Sequence, residues 1–256
     1  MYPEIFGVID SYSVMLLLGV ISSLVLLFLY LKHLQYNSKI ILDLLLSGIV
    51  AVFFGVVFAC LFQNLYEFCQ NPSTYKFTFG LTFYGGLFGG VISFLLMYFF
   101  YVKKRNGAIM GDILIAAPMC ITIAHAFGRV GCFLAGCCYG KETTMWYGIY
   151  FPVLEKKVIP TQLFEAMFLF ILTIVLIFIT FRFKFKYTFN IYLLSYSIFR
   201  FLIEFLRDDP RGGFLSIFSP SQMWSIGLFI INIPLYFFLR YYIFKDKVGV
   251  EDENKG

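Results

Sequence analysis

One strongly apolar stretch of the sequence contains three charged residues, Arg200, Glu204 and Arg207. A charged side chain at the centre of a bilayer costs about 2.5–3.5 kcal/mol on insertion scales, so each one needs a compensating role. Spacings of four and then three residues place all three on one face of a helix. Two interpretations are open. The residues form a structural ion pair that closes a helix bundle, or an anion site in which the carboxylate orients a guanidinium toward phosphate.

A second group combines a histidine, an arginine and several small residues between positions 124 and 140. His125 and Arg129 are four residues apart, so they share a face if one helix runs through both. Glycines at positions 128, 131, 136 and 140 allow backbone or ligand to approach closely. Small-residue packing accounts for the glycines but not for an arginine among them. His125 is either a structural histidine or a group that titrates near neutral pH.

Two further segments with polar and small residues lie where apolar stretches begin, at positions 82–90 and 159–165. The members that we assign to a site are Tyr84, Gly85, Gly86, Gln162 and Glu165.

The chain has six cysteines and only two histidines, and no C-x-x-C motif occurs. Without a C-x-x-C motif, two histidines are too few to complete a zinc-type ligand set, so we expect no metal and no soluble cofactor. Most of the cysteines are expected to be small packing residues. A thiol–disulfide role stays open for Cys132, Cys137 and Cys138, although adjacent cysteines pair only with strained geometry.

The overall composition excludes an ordinary soluble protein. Of 256 residues, 60% are hydrophobic and only 14% are charged, and the mean hydropathy is +0.83. The basic residues that give the net charge of +5 are scattered between apolar stretches, which argues against nucleic acid as a partner. We predict an all-α polytopic membrane protein with about seven transmembrane helices. The predicted spans are 12–31, 41–62, 80–102, 111–127, 162–181, 188–206 and 222–243.

The distribution of lysine and arginine predicts the topology. Alternate connections are richer in positive charge, and the positive-inside rule assigns those to the cytoplasm. The N-terminus is then outside and the tail at 245–256 is cytoplasmic. The first span is retained, because no basic segment precedes it and no cleavage site follows it. We predict a single transmembrane domain over 1–256 with a site-bearing external loop around 128–161, and the four polar segments all lie toward the external leaflet.

In their order along the chain, these segments resemble motifs of the prolipoprotein diacylglyceryl transferase family. Shorter similarities involve Tyr12 with Met15 near the N-terminus, and Ser221-Gln222 with Ser225. The longer matches are 84–89 to the family's H-G-G-L-x-G, 128–140 to its G-R-x-G-N-F-x-N-x-E-x-x-G, 159–165 to its H-P-S-Q-L-Y-E and 199–207 to its F-R-x-x-x-E-F-x-R. Together they span nearly the whole chain.

The resemblance implies an enzyme of the bacterial cell membrane. It would transfer the diacylglyceryl group of phosphatidylglycerol to the lipobox cysteine thiol of a prolipoprotein signal peptide, forming a thioether among membrane lipids. Arg129 and Arg200 would hold the phosphate, Glu204 would orient Arg200, and His125 would act as base or relay. The implied catalytic residues are Tyr12, Tyr84, His125, Arg200 and Glu204, and the implied substrate-binding residues are Gly85, Gly86, Arg129, Cys132, Gln162, Glu165 and Arg207.

Among the positions that depart from the family's pattern, we single out four. Tyr84 and Ile159 stand where the family has histidine, Cys132 where it has asparagine, and Cys137 where it has glutamate. The arginines that would hold a lipid phosphate are retained, and so are the glutamates beside them. Three alternatives therefore stay open: a divergent paralogue with another acceptor, a lipid-binding or transport protein that uses the same arginine pocket, and a membrane thiol–disulfide protein.

Overall fold

The structure is a computed structural model that describes residues 4–5, 9–70, 72–73, 75–80, 82–106, 110–207 and 218–244, without the side chains of residues 4, 5, 9, 83, 84, 105 and 106. Almost all of the regular structure is helical, with two short hairpins. The elements are β1 (Glu4–Ile5), β2 (Ile9–Asp10), α1 (Ser11–His33), α2 (Ser38–Gln70), α3 (Phe83–Met97), α4 (Lys103–Asn106), α5 (Met110–Ala135), β3 (Ile149–Phe151), β4 (Lys156–Val158), α6 (Thr161–Phe183), α7 (Thr188–Ile203) and α8 (Pro220–Phe238).

Seven helices in the described ranges are long and apolar enough to cross a membrane, which confirms the predicted all-α polytopic fold. Helix α3 reaches spanning length because a π-helical turn, Tyr98–Val102, continues it. Helix α5 ends at Ala135 rather than near residue 127, so residues 128–135 are helical and do not begin a loop. His125 and Arg129 therefore do share a helix face. The orientation of the termini stays a prediction.

The chain divides into two compact units. One unit comprises Leu27–Ile109, and the other comprises Met1–Leu26 together with Met110–Gly256. The single domain that we expect over the whole chain stays a prediction.

The unit Leu27–Ile109 is built on close packing of α2 against α3. A Cβ atom on Gly85 would lie 2.6 Å from the Phe58 carbonyl oxygen, and one on Gly86 would touch Ala59. Small residues of this kind let transmembrane helices approach at backbone distance. Helix packing therefore accounts for Gly85 and Gly86, and their predicted role in substrate binding stays a prediction. The Tyr84 side chain lies outside the described residues.

In the other unit, polar side chains link the helices across an apolar interior. Ser23 on α1 donates to the Cys120 carbonyl on α5 at 2.7 Å. The hydroxyls of Thr122 on α5 and Thr173 on α6 are hydrogen-bonded at 2.8 Å. Polar groups at membrane depth need partners within the protein, because lipid offers none. These bonds fix the lateral arrangement of α1, α5 and α6.

The loop between α5 and α6 is held by main-chain hydrogen bonds. The Gly140 N–H donates to the Ile159 carbonyl and the Ile159 N–H donates to the Lys141 carbonyl, both at 2.9 Å. The Lys141 N–H donates to the Leu206 carbonyl at 2.8 Å, which attaches the loop to the end of α7. We call this arrangement of residues 140–141, 159 and 206–207 the loop frame. It places the two ends of the loop beside Arg207.

Replacing Gly140 with alanine is expected to destabilise the loop frame by about 1–3 kcal/mol, the usual cost of overpacking. A Cβ atom there would lie 2.6 Å from the Leu206 carbonyl oxygen and 2.9 Å from that of Ile159. Gly128→Ala is the matched control, because a Cβ at Gly128 meets nothing within 4 Å. Thermal unfolding in detergent should show a lower Tm for Gly140→Ala alone. Equal Tm values for the two variants would contradict the frame.

Candidate active site

The centre of the site is the carboxylate of Glu165, which is fully buried at the start of α6. Its Oε1 lies 3.0 Å from Nη2 of Arg129 on α5 and accepts a hydrogen bond from the Tyr196 hydroxyl on α7 at 2.8 Å. Its Oε2 lies 3.9 Å from Nη1 of Arg200. A buried carboxylate in contact with guanidiniums stays ionised and neutralises them. Glu165 thus joins three helices through one charge.

A second carboxylate orients Arg200 from the far side. Glu204, one helical turn further along α7, places Oε2 3.0 Å from Nη2 of Arg200. The same Nη2 donates to the Ser221 hydroxyl on α8 at 2.9 Å. Ser219, the N-cap of α8, donates to Oε1 of Glu204 at 2.9 Å. The predicted Arg200–Glu204 pair is therefore present, and α8 fixes both of its members.

Part of the hydrogen-bonding capacity of this centre is not used within the described part of the chain. Nη1 of Arg200 and Oε2 of Glu165 are buried and have no hydrogen-bond partner there. A guanidinium donor left without an acceptor in a buried position is costly. An anion that accepts from Nη1 of Arg200 would remove that cost. The centre therefore has donor capacity left for an anion such as a phosphate.

His125 lies one turn before Arg129 on α5. Its Nε2 accepts a hydrogen bond from Nε of Arg129 at 3.3 Å and lies 3.7 Å from Oε1 of Glu165. The imidazole ring packs edge-on against Tyr196, with ring centroids 5.3 Å apart. An imidazole nitrogen that accepts from a guanidinium carries no proton, so the other ring nitrogen holds it. In this arrangement, Arg129 occupies the basic nitrogen of His125.

Tyr12 reaches the same end of the helix bundle from α1. It packs on α5 at Gly131, where an added Cβ would lie 3.0 Å from the Tyr12 ring. Gly131 favours this close contact, because an added Cβ would require Tyr12 to shift by a few tenths of an ångström. The predicted residues Tyr12, His125, Arg129 and Glu165 are thus gathered at one end of α1, α5 and α6.

A tight turn after α5 brings three cysteine thiols together. The Cys137 N–H donates to the Cys132 carbonyl at 3.1 Å, and the Gly136 N–H donates to the Phe133 carbonyl at 3.1 Å. These two bonds and the φ of 77° at Gly136 define a Schellman C-cap. The sulfur atoms of Cys132, Cys137 and Cys138 all lie within 4.8 Å of one another. We call these three residues the thiol cluster; all six cysteines of the chain are free thiols.

The start of α6 anchors the thiol cluster. The Gln162 amide donates to the Cys137 carbonyl, and the Thr161 hydroxyl donates to the Cys138 carbonyl at 3.0 Å. Both anchoring side chains are fully buried. Gln162, predicted as a substrate-binding residue, is thus engaged with the loop backbone through its amide nitrogen, and its role toward substrate stays a prediction.

The Cys138 thiol has a lowered pKa. Hydrogen bonds from the thiols of Cys132 and Cys137 lower the pKa first, and the Arg207 guanidinium adds to the effect. Partial burial opposes the shift and does not reverse it. Cys138 also has a φ of 64°, a left-handed conformation that is uncommon for a residue other than glycine. Among the three thiols of the cluster, Cys138 is therefore the one whose pKa is lowered.

Alkylation should reveal this lowered pKa. Thiolates react and thiols do not, so an ordinary cysteine slows about 100-fold between pH 8 and pH 6. Because the Cys138 pKa is lowered, we expect its alkylation rate to fall by clearly less than that of an ordinary cysteine over that range. Rates would be followed by iodoacetamide labelling and peptide mass spectrometry on the chelator-treated protein, with an unstructured cysteine peptide as control. If the alkylation rates of Cys138 and of the peptide cysteine fell by the same factor, the lowered pKa would be contradicted.

Sequence reasoning missed several members of the centre. Tyr196, Ser219 and Ser221 contact Glu165, Glu204 and Arg200, respectively. The sequence could have identified Tyr196, since it precedes Arg200 by four residues and so shares its helix face. The two serines belong to the capping segment of α8 and carry no charge that would mark them.

An apolar groove of about 270 Å³ runs between α7 and α8 toward this centre. Ser197 lies one turn before Arg200 on α7, and Ser225 lies one turn after Ser221 on α8. The groove thus begins next to the Arg200–Ser221 contact. Its lining residues are Ser197, Ile198, Phe201, Leu202, Ser225, Ile226 and Phe229.

Fold and site together define a class of protein. The chain is a multi-pass helical membrane protein with a buried centre of arginines and carboxylates, and an apolar groove opens beside that centre. Among proteins, this combination suits a ligand with an anionic headgroup and hydrocarbon chains.

The chain belongs to the prolipoprotein diacylglyceryl transferase family, whose model matches residues 4–238. It is 34% identical over 243 residues to the phosphatidylglycerol–prolipoprotein diacylglyceryl transferase of Clostridium tetani, covering 90% of this chain and 95% of that protein. A second such transferase, from Clostridium perfringens, is also 34% identical and covers 91% of this chain and 92% of its own length. The counterpart from Dehalococcoides mccartyi is 29% identical. The resemblance drawn from the four segments is confirmed.

Proposed function

We propose that this protein transfers the diacylglyceryl group of phosphatidylglycerol to the cysteine thiol of a prolipoprotein. The observation that carries the proposal is the buried Arg129–Glu165–Arg200 centre in a chain of this family. Relatives that are named for this reaction match about nine-tenths of the chain. No finding favours a transporter, a thiol–disulfide protein or a paralogue with another acceptor.

The phosphate of the lipid is held by Arg129 and Arg200. Glu165 fixes Arg129 from α6, and Glu204 fixes Arg200 within α7, so both guanidiniums are oriented before the lipid arrives. The unpartnered Nη1 of Arg200 donates to a phosphate oxygen. Pre-oriented donors lower the barrier because they do not reorganise as charge develops on the leaving group.

The reaction is a substitution at carbon. The sulfur of the acceptor cysteine forms a bond to the glyceryl carbon that carries the phosphate, and the bond from that carbon to the phosphate oxygen breaks. The oxygen and its electron pair leave as glycerol phosphate. The thiol proton passes to a base and then to the leaving phosphate, so that a thioether and glycerol phosphate are the products. An ordinary thiol is only a few per cent ionised at neutral pH, so a base is needed.

His125 supplies that base. Its Nε2 accepts a long hydrogen bond from Nε of Arg129 at 3.3 Å, and this bond opens when a phosphate engages the Arg129 guanidinium, which Glu165 keeps in place. Phosphate binding therefore releases the basic nitrogen only when the donor lipid is present. Tyr12, packed on Gly131, is positioned to hydrogen-bond at the same end of the bundle. Tyr84 is proposed as a second hydrogen-bonding residue on the family's motif alone.

The groove between α7 and α8 accommodates an acyl chain. Its walls are apolar, and it begins at the Arg200–Ser221 contact, where the headgroup would be held. A lipid bound this way keeps its hydrocarbon in an apolar environment while its phosphate reaches the arginines.

Filling the groove should weaken lipid binding. Ile226→Trp adds volume to the groove wall, whereas Ile230→Trp, one turn further along α8, places the same ring outside it. We expect Ile226→Trp to raise the KM for phosphatidylglycerol about tenfold, because a blocked acyl chain loses its apolar contacts. Ile230→Trp should keep the original KM in vesicles of graded phosphatidylglycerol content. Unchanged KM values in both variants would remove the groove from the lipid site.

The acceptor in this proposal is the lipobox cysteine of a signal peptide. Such a peptide is itself apolar and reaches the site from the bilayer. The names of the relatives state a prolipoprotein acceptor, and the lipobox cysteine belongs to the signal-peptide region of that acceptor.

The direct test uses the purified full chain in vesicles of phosphatidylglycerol with a synthetic lipobox peptide. We expect the peptide to gain the mass of one diacylglyceryl group and glycerol phosphate to appear in equal amount. Vesicles of phosphatidylcholine, and a peptide with serine in place of its cysteine, are the controls. Absence of a mass gain with phosphatidylglycerol, while the lipid still binds, would overturn the proposal.

A further inference from the structure

The thiol cluster has the geometry of a cation site. Its three sulfur atoms lie within 4.8 Å of one another. A metal–sulfur bond of about 2.3 Å implies sulfur atoms about 3.8–4.0 Å apart in tetrahedral or trigonal coordination. Small side-chain rotations therefore bring Cys132, Cys137 and Cys138 to coordinating distance. The spacing in the sequence did not reveal this, because the Schellman turn supplies the proximity.

The backbone holds the cluster in place without the help of a ligand. The Schellman turn fixes Cys137 to Cys132, and α6 binds the carbonyls of Cys137 and Cys138 through Gln162 and Thr161. A preformed site loses little conformational freedom on binding. Cys137 is exposed, which provides a path for an ion to enter.

The electrostatic surroundings suit a metal–thiolate complex. Three thiolates carry three negative charges, so their complex with Zn²⁺ carries −1 and that with Cu⁺ carries −2. Arg129 acts on Cys132 through its charge, and Arg207 is hydrogen-bonded to Cys138. Nearby guanidiniums stabilise an anionic complex and do not compete as ligands.

We propose that Cys132, Cys137 and Cys138 form a binding site for one thiophilic d¹⁰ cation, Zn²⁺ or Cu⁺. Soft thiolate ligands select these ions over Mg²⁺ or Ca²⁺. Binding forms three metal–sulfur bonds and releases to the solvent the thiol protons that the cluster still carries, with no change of oxidation state. In the described part of the chain the group contains no fourth histidine, cysteine or carboxylate. Water would complete a tetrahedron around Zn²⁺, whereas Cu⁺ would be three-coordinate.

Metal content of the purified chain tests the proposal. The reduced protein is freed of metal with a chelator, then incubated with Zn²⁺ in air or with Cu⁺ without oxygen, and excess ion is removed. We expect one ion per chain by elemental mass spectrometry. Loading with both ions at once shows which is retained. Fewer than about 0.1 ion per chain for both metals would overturn the proposal.

Single variants locate the site. Cys132→Ser, Cys137→Ser and Cys138→Ser should each weaken binding tenfold or more, as measured by competition with a chromophoric chelator. Cys69→Ser is the matched control, since Cys69 is an exposed thiol on α2. Retention of the ion by a chain with all three serines would place the metal elsewhere and contradict the assignment.

A labelling measurement on the unaltered chain avoids any question of whether a variant folds. Bound metal should slow maleimide labelling of the thiol cluster about tenfold or more and leave labelling of Cys69 unchanged. Thiols lost without bound metal would indicate disulfide formation and contradict the cation site. Equal rates of labelling with and without metal would also contradict the cation site.

A loaded cluster has a consequence for the reaction, which rests on the proposed function. The ion would sit beside Arg129 and Arg207 and compete with phosphate for their charge. We therefore expect the loaded protein to transfer the lipid at least about tenfold more slowly than the metal-free protein. Metal content is read without substrate, so failure of the transfer assay leaves the binding result standing.

Discussion

Arg129→Lys is expected to lower the transfer rate about 100-fold or more while the protein stays folded. Lysine keeps the positive charge beside Glu165 but cannot present two parallel donors to a phosphate. It also lacks the Nε–H that contacts His125 at 3.3 Å. Loss of a single pre-oriented donor to a developing oxyanion costs about 10²–10³ in rate. Single-turnover transfer to a lipobox peptide in vesicles measures the effect.

Arg182→Lys is the control for this substitution, because Arg182 lies exposed in the last turn of α6. It should transfer at the original rate, and both variants should keep the original Tm within a few degrees. An Arg129→Lys protein with more than about one-tenth of the original rate would show that Arg129 does not hold the phosphate.

Glu165→Gln is expected to destabilise the protein by about 3–5 kcal/mol and to abolish transfer. The carboxylate is fully buried and compensates Arg129 and Arg200 at 3.0 and 3.9 Å. Glutamine has nearly the same shape but no charge, so Arg129 would remain buried without its compensating carboxylate, and Arg200 would keep only Glu204. Removing one partner of a buried ion pair typically has an effect of this size. Thermal unfolding and the vesicle assay report the two losses separately.

Glu142→Gln removes a carboxylate from a surface pair and serves as the comparison. Glu142 lies 3.2 Å from Lys156, and both side chains are more than half exposed. Water screens such pairs, so the expected change is below about 1 kcal/mol. Similar losses of stability in the two variants would show that the burial of Glu165 does not increase its contribution to the free energy of unfolding.

The local parts of the site were predictable from the sequence. Arg200 and Glu204 are four residues apart in one helix, and they form the expected ion pair at 3.0 Å. The seven spans follow from hydropathy because a bilayer imposes a minimum apolar length. The resemblance to the family places Glu165 in the site, although it does not say what Glu165 contacts.

The contacts between helices were not predictable. Glu165 meets Arg129, Tyr196 and Arg200 from three different helices, and no periodicity within one helix encodes such a meeting. The end of α5 was predicted near residue 127 from the length of the apolar stretch, whereas the helix continues to Ala135. The sequence analysis grouped Cys132, Cys137 and Cys138, but it did not predict how close their sulfur atoms lie, because a turn brings Cys137 next to Cys132.

The loop frame has a consequence for how this family can diverge. It is held by N–H and C=O groups of Gly140, Lys141, Ile159 and Leu206, which any residue other than proline supplies in full. Lys141 and Leu206 take part through their main chains and have exposed side chains, so those side chains can change without altering the position of the loop. Gly140, enclosed by carbonyl oxygens, and Ile159, whose side chain is buried, are excluded from this freedom.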